Sequence, residues 1–393
     1  MLTFHSLRVA EIHPEADDAV GISLEVPPEL REEYRGLPGQ HVVVKVNIND
    51  EESRRTYSLV NAPGESPLRI VVRMHPAGHM SRYLAEQLNA GDQLDVLPPN
   101  GSFTPRRGAQ TGGTYVAFAS GCGITPVLSV VRSLLAANSG NRVVLFYGNA
   151  STSRAMCLEE LLALKDRYME RLSLHFVMSR EPQEVALYNG RIDPDRVRQF
   201  ARALFRPEGV TEYFVCGPGD MIDQVSATLR ELGATADQIH GEHFTLAHTF
   251  SGLAHTSSGL ATTPAQGVGA PATMTAPGAG RESDAVPTAP DVSSGVRAAD
   301  ESEVAILMDG RRRTFTMRMN DEVVLDAAAR AGLELPFSCR AGVCSTCRTK
   351  VVQGKVEMAQ NYALEEWEVE QGYVLACQSR VTTPVLELDY DEK

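Results

Sequence analysis

Four cysteines near the C-terminus carry the most specific chemistry in the sequence. Cys339, Cys344 and Cys347 stand in a C-x4-C-x2-C array within LPFSCRAGVCSTCRTK, and Cys377 follows in YVLACQS. Three thiolates from one loop and a distant fourth form the ligand pattern of a [2Fe–2S] cluster, in which each iron takes two thiolates. Small residues in that loop (Ala341, Gly342, Ser345 and Thr346) let backbone N–H groups approach the sulfurs, and such hydrogen bonds tune the potential. A structural zinc site would take its cysteines as two short-spaced pairs. A disulfide would need an oxidising compartment, and no export signal points to one. The odd total of seven cysteines also suits reduced thiols better than a disulfide framework.

A second constellation lies in RRTYSLVNAP, where Arg55, Tyr57 and Ser58 form R-x-Y-S. On a strand Arg55 and Tyr57 share a face, and Ser58 takes the other unless the strand ends there. A cationic fork, an aromatic plate and a hydroxyl suit a flavin nucleotide. The guanidinium can pair with phosphate, the ring can stack on the isoalloxazine, and the hydroxyl can hydrogen-bond the reactive nitrogen. Standing alone, the motif fits equally a half-buried strand with a surface arginine. Further on, AGHMSRYL sets Gly78 and Ser81 at the start of a helix, a good anion site.

A third constellation begins at Gly121-Cys122-Gly123-Ile124-Thr125-Pro126, a G-x-G-x-x-P between a strand and a helix. Its two glycines let backbone approach a pyrophosphate, and Pro126 suits the first helical position. The third glycine of the dinucleotide fingerprint is missing. Cys216-Gly217-Pro218 ends a later strand, with Met221 after it; a cysteine in an apolar strand is usually core. Both loops fall at strand ends, where open α/β sheets bind ligands. Ser179-Arg180 and Arg191 offer a hydroxyl and two guanidiniums that could hold the 2′-phosphate of NADPH, or they are simply surface residues. The segment closes with GEHF, which contains Glu242 and Phe244.

These residues require distinct scaffolds. Across 1–107, SLRVAEI, GISLEV, HVVVKVNI, LRIVVRM and DQLDVLPP alternate and are broken by Gly and Pro, which predicts an antiparallel β-barrel. PGQH at Pro38 to His41 reads as a turn into a strand. Across 110–244, TYVAFAS, RVVLFYG, LSLHFVMSR and EYFVCGP alternate with amphipathic segments, which predicts a parallel sheet wrapped by helices. Residues 245–302 are rich in Ala, Thr, Gly, Ser and Pro and read as a disordered linker, with an r.m.s. span on the order of 40 Å. Across 303–393, a hairpin with a DG turn precedes a helix in DEVVLDAAARAGL, for which Asp321 is the expected N-cap. Glu365, Glu366, Glu368 and Glu370 read as a solvated helix face, with docking on a basic partner as the alternative.

The 393 residues leave room for two or three domains, and 43% hydrophobic with 22% charged residues describes an ordinary soluble protein. A net charge of −13 argues against nucleic acid or an anionic membrane as partner. The run from Val127 to Ala137 contains Arg132 and is too short to span a bilayer. With no signal peptide visible, the expected compartment is the cytoplasm.

A barrel with R-x-Y-S followed by G-x-x-S resembles the flavin domain of the ferredoxin–NADP reductase superfamily. The resemblance implies that Arg55, Gly78 and Ser81 hold the flavin phosphates, that Tyr57 packs on the ring, and that Ser58 lies near N5, with Val72 and Met80 in the same set. It implies that Gly121, Gly123, Thr125 and Pro126 receive the pyridine nucleotide and that Cys216 faces the nicotinamide beside Gly217, Pro218 and Met221. Ser179, Arg180 and Arg191 would then select NADPH, and Glu242 and Phe244 would lie near the flavin. Ser58 and Cys216 are the implied catalytic residues. The C-terminal stretch resembles the β-grasp of plant-type ferredoxins. NYALEEWEVEQGYVLACQSR, the cluster loop, NGRID and MLTFHSLRVAEI together resemble the reductase subunits of 1,2-phenylacetyl-CoA epoxidases, although the linker is longer here. The implied fold is multidomain, α+β and α/β, with an antiparallel β-barrel flavin domain, a parallel-sheet nucleotide domain and a β-grasp ferredoxin domain. The implied activity is that of an NADPH-dependent oxidoreductase with FAD (or FMN) and a [2Fe–2S] cluster. It would pass electrons one at a time to a di-iron oxygenase acting on phenylacetyl-CoA. Service to a ring-hydroxylating or steroid-hydroxylating oxygenase is the runner-up. A non-catalytic redox sensor is a reading from another class, opposed by the intact phosphate loop, C-G-P and R-x-Y-S.

Overall fold

The computed structural model describes residues 3–107, 109–244 and 300–392, so nearly all of the linker expected at 245–302 lies outside the described residues. The described residues fall into two units, one on each side of that segment.

Alternation in the first unit produces β1 (His5–Ala16), β2 (Ala19–Glu25), β3 (His41–Ile48), β4 (Glu51–Ser58), β5 (Leu68–Arg73), α1 (His79–Glu86) and β6 (Gln93–Val96). They form a six-stranded antiparallel sheet in the order β4-β3-β6-β1-β2-β5. A bridge between Leu59 and Ile70 brings its two edge strands together, so little free edge is left. Inward-facing Leu7, Ile22, Val42, Val44, Ile70 and Val72 fill the interior, and α1 closes it with Met80 and Leu84.

The nucleotide half follows as β7 (Thr114–Ser120), α2 (Ile124–Ala137), β8 (Arg142–Asn149), α3 (Leu158–Arg167), β9 (Leu172–Met178), α4 (Pro194–Ala203), β10 (Val210–Gly217), α5 (Gly219–Glu231) and β11 (Ile239–His243). All five strands are parallel, in the order β11-β10-β7-β8-β9. Edge strand β11 escapes a hydropathy reading because only Ile239 and His240 of its five residues are buried. The three central strands β10, β7 and β8 are buried apolar runs, as a sheet covered on both faces requires.

Two joints fix the barrel against the nucleotide sheet. In the first, Ser129 Oγ on α2 accepts from the Gly39 N–H (3.2 Å) and donates to the Asn61 carbonyl. Gly39 has φ +81°, and a Cβ there would lie 1.9 Å from the Phe103 carbonyl oxygen, so the PGQH turn requires glycine. In the second, the Cys157 N–H at the start of α3 donates to Glu15 Oε1 (2.8 Å), so a carboxylate from the barrel caps a helix of the other sheet. Arg69 pairs with Glu160 at 2.7 Å, and Arg132 pairs with both Glu160 and Glu65 at 2.9 Å. Ligand atoms of Glu15, Cys157 and Glu160 lie within 4.8 Å of one another, a spacing that could hold a cation. The Arg69 guanidinium is already that cation. Burial, then Glu15 and Glu160, push the Cys157 thiol well up, so it stays protonated.

The second unit comprises β12 (Glu301–Met308), β13 (Arg311–Arg318), α6 (Val324–Arg330), β14 (Arg348–Gln353), β15 (Val356–Met358), α7 (Glu366–Glu370), β16 (Tyr373–Leu375), β17 (Ser379–Val381) and β18 (Val385–Asp389). Its mixed sheet runs β13-β12-β18-β14-β16, with β15 and β17 as a separate pair and α6 packed on the core. Asp309 and Gly310 take φ +54° and +66°, as a two-residue hairpin turn demands. Asp321 does not cap α6. Val323 is the N-cap because it pairs with Arg380 and is held extended, which delays the helix to Val324. Nor is Glu368 solvated. It is buried, pairs with Arg348 at 2.9 Å and closes a capping box with Glu365. Among the described residues no helix is long and apolar enough to cross a membrane.

Replacing Glu15 by Ala removes the cap on α3, a loss of about 1–2 kcal/mol. Hydrogen exchange in the first turn of α3 should accelerate by roughly five- to thirtyfold for that loss, with the far end of the helix unchanged. Unaltered exchange there would show that the cross-sheet cap carries no stability.

Candidate functional site

The first unit gathers its candidate residues where the barrel meets the C-terminal ends of the parallel strands. β4 ends at Ser58, which is buried opposite His41 of β3. In the neighbouring sheet Cys216 on β10 pairs with Glu242 on β11. Glu242 reaches back to the barrel. Its Oε2 accepts from Ser58 Oγ at 3.4 Å, and its Oε1 lies 3.4 Å from His41 Nδ1. Ser58, Glu242 and Cys216 are thus assembled from both halves, and His41 joins them unannounced by any motif. Its Nε2 is buried with no protein hydrogen-bond partner among the described residues. The one available signal was a histidine heading the apolar run HVVV. Burial, then Glu242, push the Cys216 thiol well above its ordinary value, so it is a small neutral group at this edge. Phe244 is half-buried against the adjoining core.

Tyr57 and Arg55 share a face of β4. The arginine is exposed, and Nη1 donates to the Arg54 carbonyl at 2.7 Å. Burial raises the Tyr57 phenol, against the pull of Arg55, so the half-buried ring is neutral. Gly78 is the N-cap of α1. Ser81 Oγ accepts from the His75 N–H at 3.1 Å and donates to the Gly78 carbonyl at 3.2 Å. A Cβ at Gly78 would sit 2.5 Å from that hydroxyl, so G-x-x-S is one closed turn. Its hydroxyl is spent internally, and an anion there would meet backbone N–H groups. Val72 and Met80 point into the barrel core and present no side chain at its mouth.

In the phosphate loop, Gly121 has φ +56°, and a Cβ on Gly123 would lie 2.0 Å from the Cys216 carbonyl oxygen. Only glycine lets this turn pack on β10. Thr125 Oγ1 donates to the Cys122 carbonyl at 3.0 Å. Pro126 is buried at the third position of α2, not the first, because the helix begins at Ile124. Its missing N–H still falls in the unpaired first turn. Arg73 of β5, which no motif flagged, comes within 3.0 Å of where a Gly121 Cβ would be. It is held by Asp18 at 3.1 Å and by the Arg154 carbonyl. Gly217 packs on Met221 and Ser120, and Pro218 caps α5. Ser179 and Arg180 follow β9 and are exposed, as is Arg191. The Gly190 N–H donates to the Met178 carbonyl at 2.7 Å, which brings the Arg191 segment beside Ser179. Neither guanidinium has a carboxylate partner among the described residues. An anion site and an ordinary solvated surface both allow that state.

In the second unit Cys339, Cys344, Cys347 and Cys377 are all buried and converge. The Ala341 N–H points at Cys339 Sγ (3.4 Å), the Cys339 N–H at Cys344 Sγ (3.5 Å), and Gln378 Nε2 at Cys377 Sγ (3.6 Å). Hydrogen bonds from the Cys344 and then the Cys377 thiol hold the Cys339 thiol well below its ordinary value. The same contacts push Cys344 and Cys377 up. Four thiolates at this spacing would repel one another, so ionising all of them requires cations between them. Ser338 Oγ is buried with no protein partner among the described residues, an orphan donor that sulfide would satisfy. The donor set fits a [2Fe–2S] cluster. Gly342, at φ +73° and 2.9 Å from the Gln360 carbonyl oxygen at its hypothetical Cβ, lets the loop close.

Comparison with known proteins follows the same division. The chain matches the Oxidoreductase FAD-binding domain over residues 7–104 and the Oxidoreductase NAD-binding domain over 118–227. Residues 306–382 match the 2Fe-2S iron-sulfur cluster binding domain. It is 35% identical to the E-type component of the 1,2-phenylacetyl-CoA epoxidase of Escherichia coli (strain K12), over 100% of this chain and 99% of that protein. It is 30% identical to the ferredoxin reductase component of 3-ketosteroid-9-alpha-monooxygenase from Rhodococcus rhodochrous, over 98% and 96%. Phthalate dioxygenase reductase, a modular structure for electron transfer from pyridine nucleotides to [2Fe-2S], superposes with a TM-score of 0.53 at 20% identity, over 98% of each chain, a likeness of fold.

Changing Cys344 to Ser should abolish the red-brown absorbance and most of the bound iron while the yellow flavin remains and still bleaches with reduced nicotinamide. Reduction of a one-electron acceptor such as cytochrome c should fall to a few per cent. Normal cytochrome c reduction by an iron-free variant would remove the cluster from the electron's exit route.

Proposed function

The chain belongs to the reductase components of multicomponent oxygenases, with FAD, NAD(P)H and [2Fe–2S] domains in one polypeptide, and we propose that it serves a di-iron 1,2-phenylacetyl-CoA epoxidase using NADPH. The observation that carries this reading is the 35% identity to the Escherichia coli epoxidase component along the entire chain, across all three cofactor domains. When bound, the flavin exchanges an electron pair with nicotinamide and single electrons with the cluster, chemistry no side chain supplies. The flavin is taken as FAD; release and identification of the bound flavin separates it from FMN. The compartment proposed is the cytoplasm.

What the chain's own residues contribute is positioning and electrostatics. Arg55 offers a fork to a phosphate, and Tyr57 offers a neutral ring for stacking. Ser58 and His41 both face Glu242, so a polar set lies at the edge where hydride would arrive, in an otherwise apolar wall. Cys216, protonated and small, lies beside Glu242 in the sheet without adding charge. The Gly121–Gly123 turn brings backbone N–H groups to a pyrophosphate, and Arg73 adds a positive charge beneath it. Arg180 and Arg191 supply the paired cations for a 2′-phosphate, with Ser179 beside them. Cys339, Cys344, Cys347 and Cys377 would ligate the irons.

A second reading rests on the 30% identity to the 3-ketosteroid-9-alpha-monooxygenase reductase component, which has a different oxygenase partner. Mixing the purified chain with each oxygenase separates the two. Under the first reading, phenylacetyl-CoA-dependent NADPH consumption appears only with the epoxidase. Stimulation of the steroid enzyme alone would reverse the assignment. Arg180→Ala should raise the KM for NADPH by roughly ten- to a hundredfold, the loss expected for a charge-assisted hydrogen bond, and leave that for NADH within about twofold. Equal effects on both coenzymes would discard the 2′-phosphate role.

A further inference from the structure

Tyr390 follows directly on β18, its N–H donating to the Leu307 carbonyl at 2.9 Å, and it takes no part in any motif. Alternation along β18 sets it on the same face as Leu386 and Leu388, both fully buried. In the adjacent strand Val351 lies opposite Leu388, and Thr349 Oγ1 donates to the Asp389 carbonyl at 2.9 Å. Cys347 immediately precedes that strand, and its carbonyl accepts from the Ala376 N–H at 3.1 Å beside Cys377. The ring of Tyr390 packs on the apolar cluster that contains Cys347 and Cys377. Its hydroxyl is buried, and among the described residues no protein atom hydrogen-bonds to it. A phenylalanine would bury the same ring without stranding a hydroxyl, so the oxygen is a cost that fold packing does not explain.

A buried phenol hydroxyl with no protein partner among the described residues, on a ring packed against the apolar cluster that holds Cys347 and Cys377, has a hydrogen to donate toward that side of the site. We propose that Tyr390 donates a hydrogen bond to the Cys347 or Cys377 side of the [2Fe–2S] cluster and thereby sets how readily that cluster accepts an electron. The proposal rests on the cluster assigned to these four cysteines. Adding an electron makes the ligand sulfurs more negative, so a donor there favours the reduced form. Tyr390 is a tuning residue, since it ligates nothing itself.

The test is a potentiometric titration of the full-length holoprotein, wild type against Tyr390→Phe, with the cluster followed by EPR and the flavin by absorbance in the same sample. The Phe variant should bind iron normally and leave the flavin potential unchanged. Its cluster should be about three- to tenfold harder to reduce, a fall of about 28–59 mV at 59 mV per decade. An unchanged cluster midpoint in a fully loaded variant overturns the role. Failure of the variant to hold iron also overturns it, because the hydroxyl would then belong to assembly and not to tuning. A wild-type protein without a cluster signal would overturn the cluster reading and this proposal together, and is distinct from either result.

Discussion

The candidate site of the first unit depends on one carboxylate crossing between two sheets. Glu242 lies on the edge strand of the parallel sheet, yet its oxygens face Ser58 and His41 of the barrel. That contact exists only if β10 and β11 stop level with the end of β4. Three features hold them there: Gly39 against the Phe103 carbonyl, Ser129 bonded to two segments of the barrel, and the Glu15 cap on α3. Each joint is polar or sterically exacting. Sliding one sheet over the other would break several bonds at once, and this is how a hydride donor and acceptor on different sheets can keep a constant separation.

The second unit answers a different constraint. Four thiolates cannot be gathered in an apolar core without cations, so the loop that presents them must be well supplied with donors. Gly342 makes the turn, and Gln378 ties Arg340 to Cys377. Amide N–H groups point at sulfur, and hydroxyls of Ser338 and Tyr390 are left buried without protein partners among the described residues. Stranded hydroxyls are expensive in a finished core. In a core completed by an iron–sulfur cluster they would have sulfur to donate to.

Family membership and chemistry meet at the division of labour. Relatives from two different oxygenase systems align along nearly the whole chain, through all three of its cofactor domains. What is shared is the route from pyridine nucleotide to cluster. None of the cofactor motifs distinguishes one oxygenase partner from another. Charge illustrates the difficulty. The acidic run around Glu368 reads in the sequence as a solvated helix face, with docking as the alternative, but Glu368 is buried against Arg348 and stabilises the start of α7.

Sequence alone determined the chemistry wherever the interacting atoms are close along the chain. The cysteine spacing, R-x-Y-S, G-x-x-S, G-x-G-x-x-P and C-G-P are each a few residues long because each makes one turn or one strand end, and strand and helix periods placed them on the right kind of element. Only the tertiary structure decided what depends on register and on contacts between distant segments. Arg73 comes to lie under the phosphate loop, His41 beside Glu242, and Tyr390 near the cluster ligands across many intervening residues, and no local period encodes those meetings. The same cause explains the misplaced details. Pro126 sits two places further into its helix because the preceding glycines form a turn on β10, and α6 starts late because Val323 is held by a strand it pairs with far along the chain.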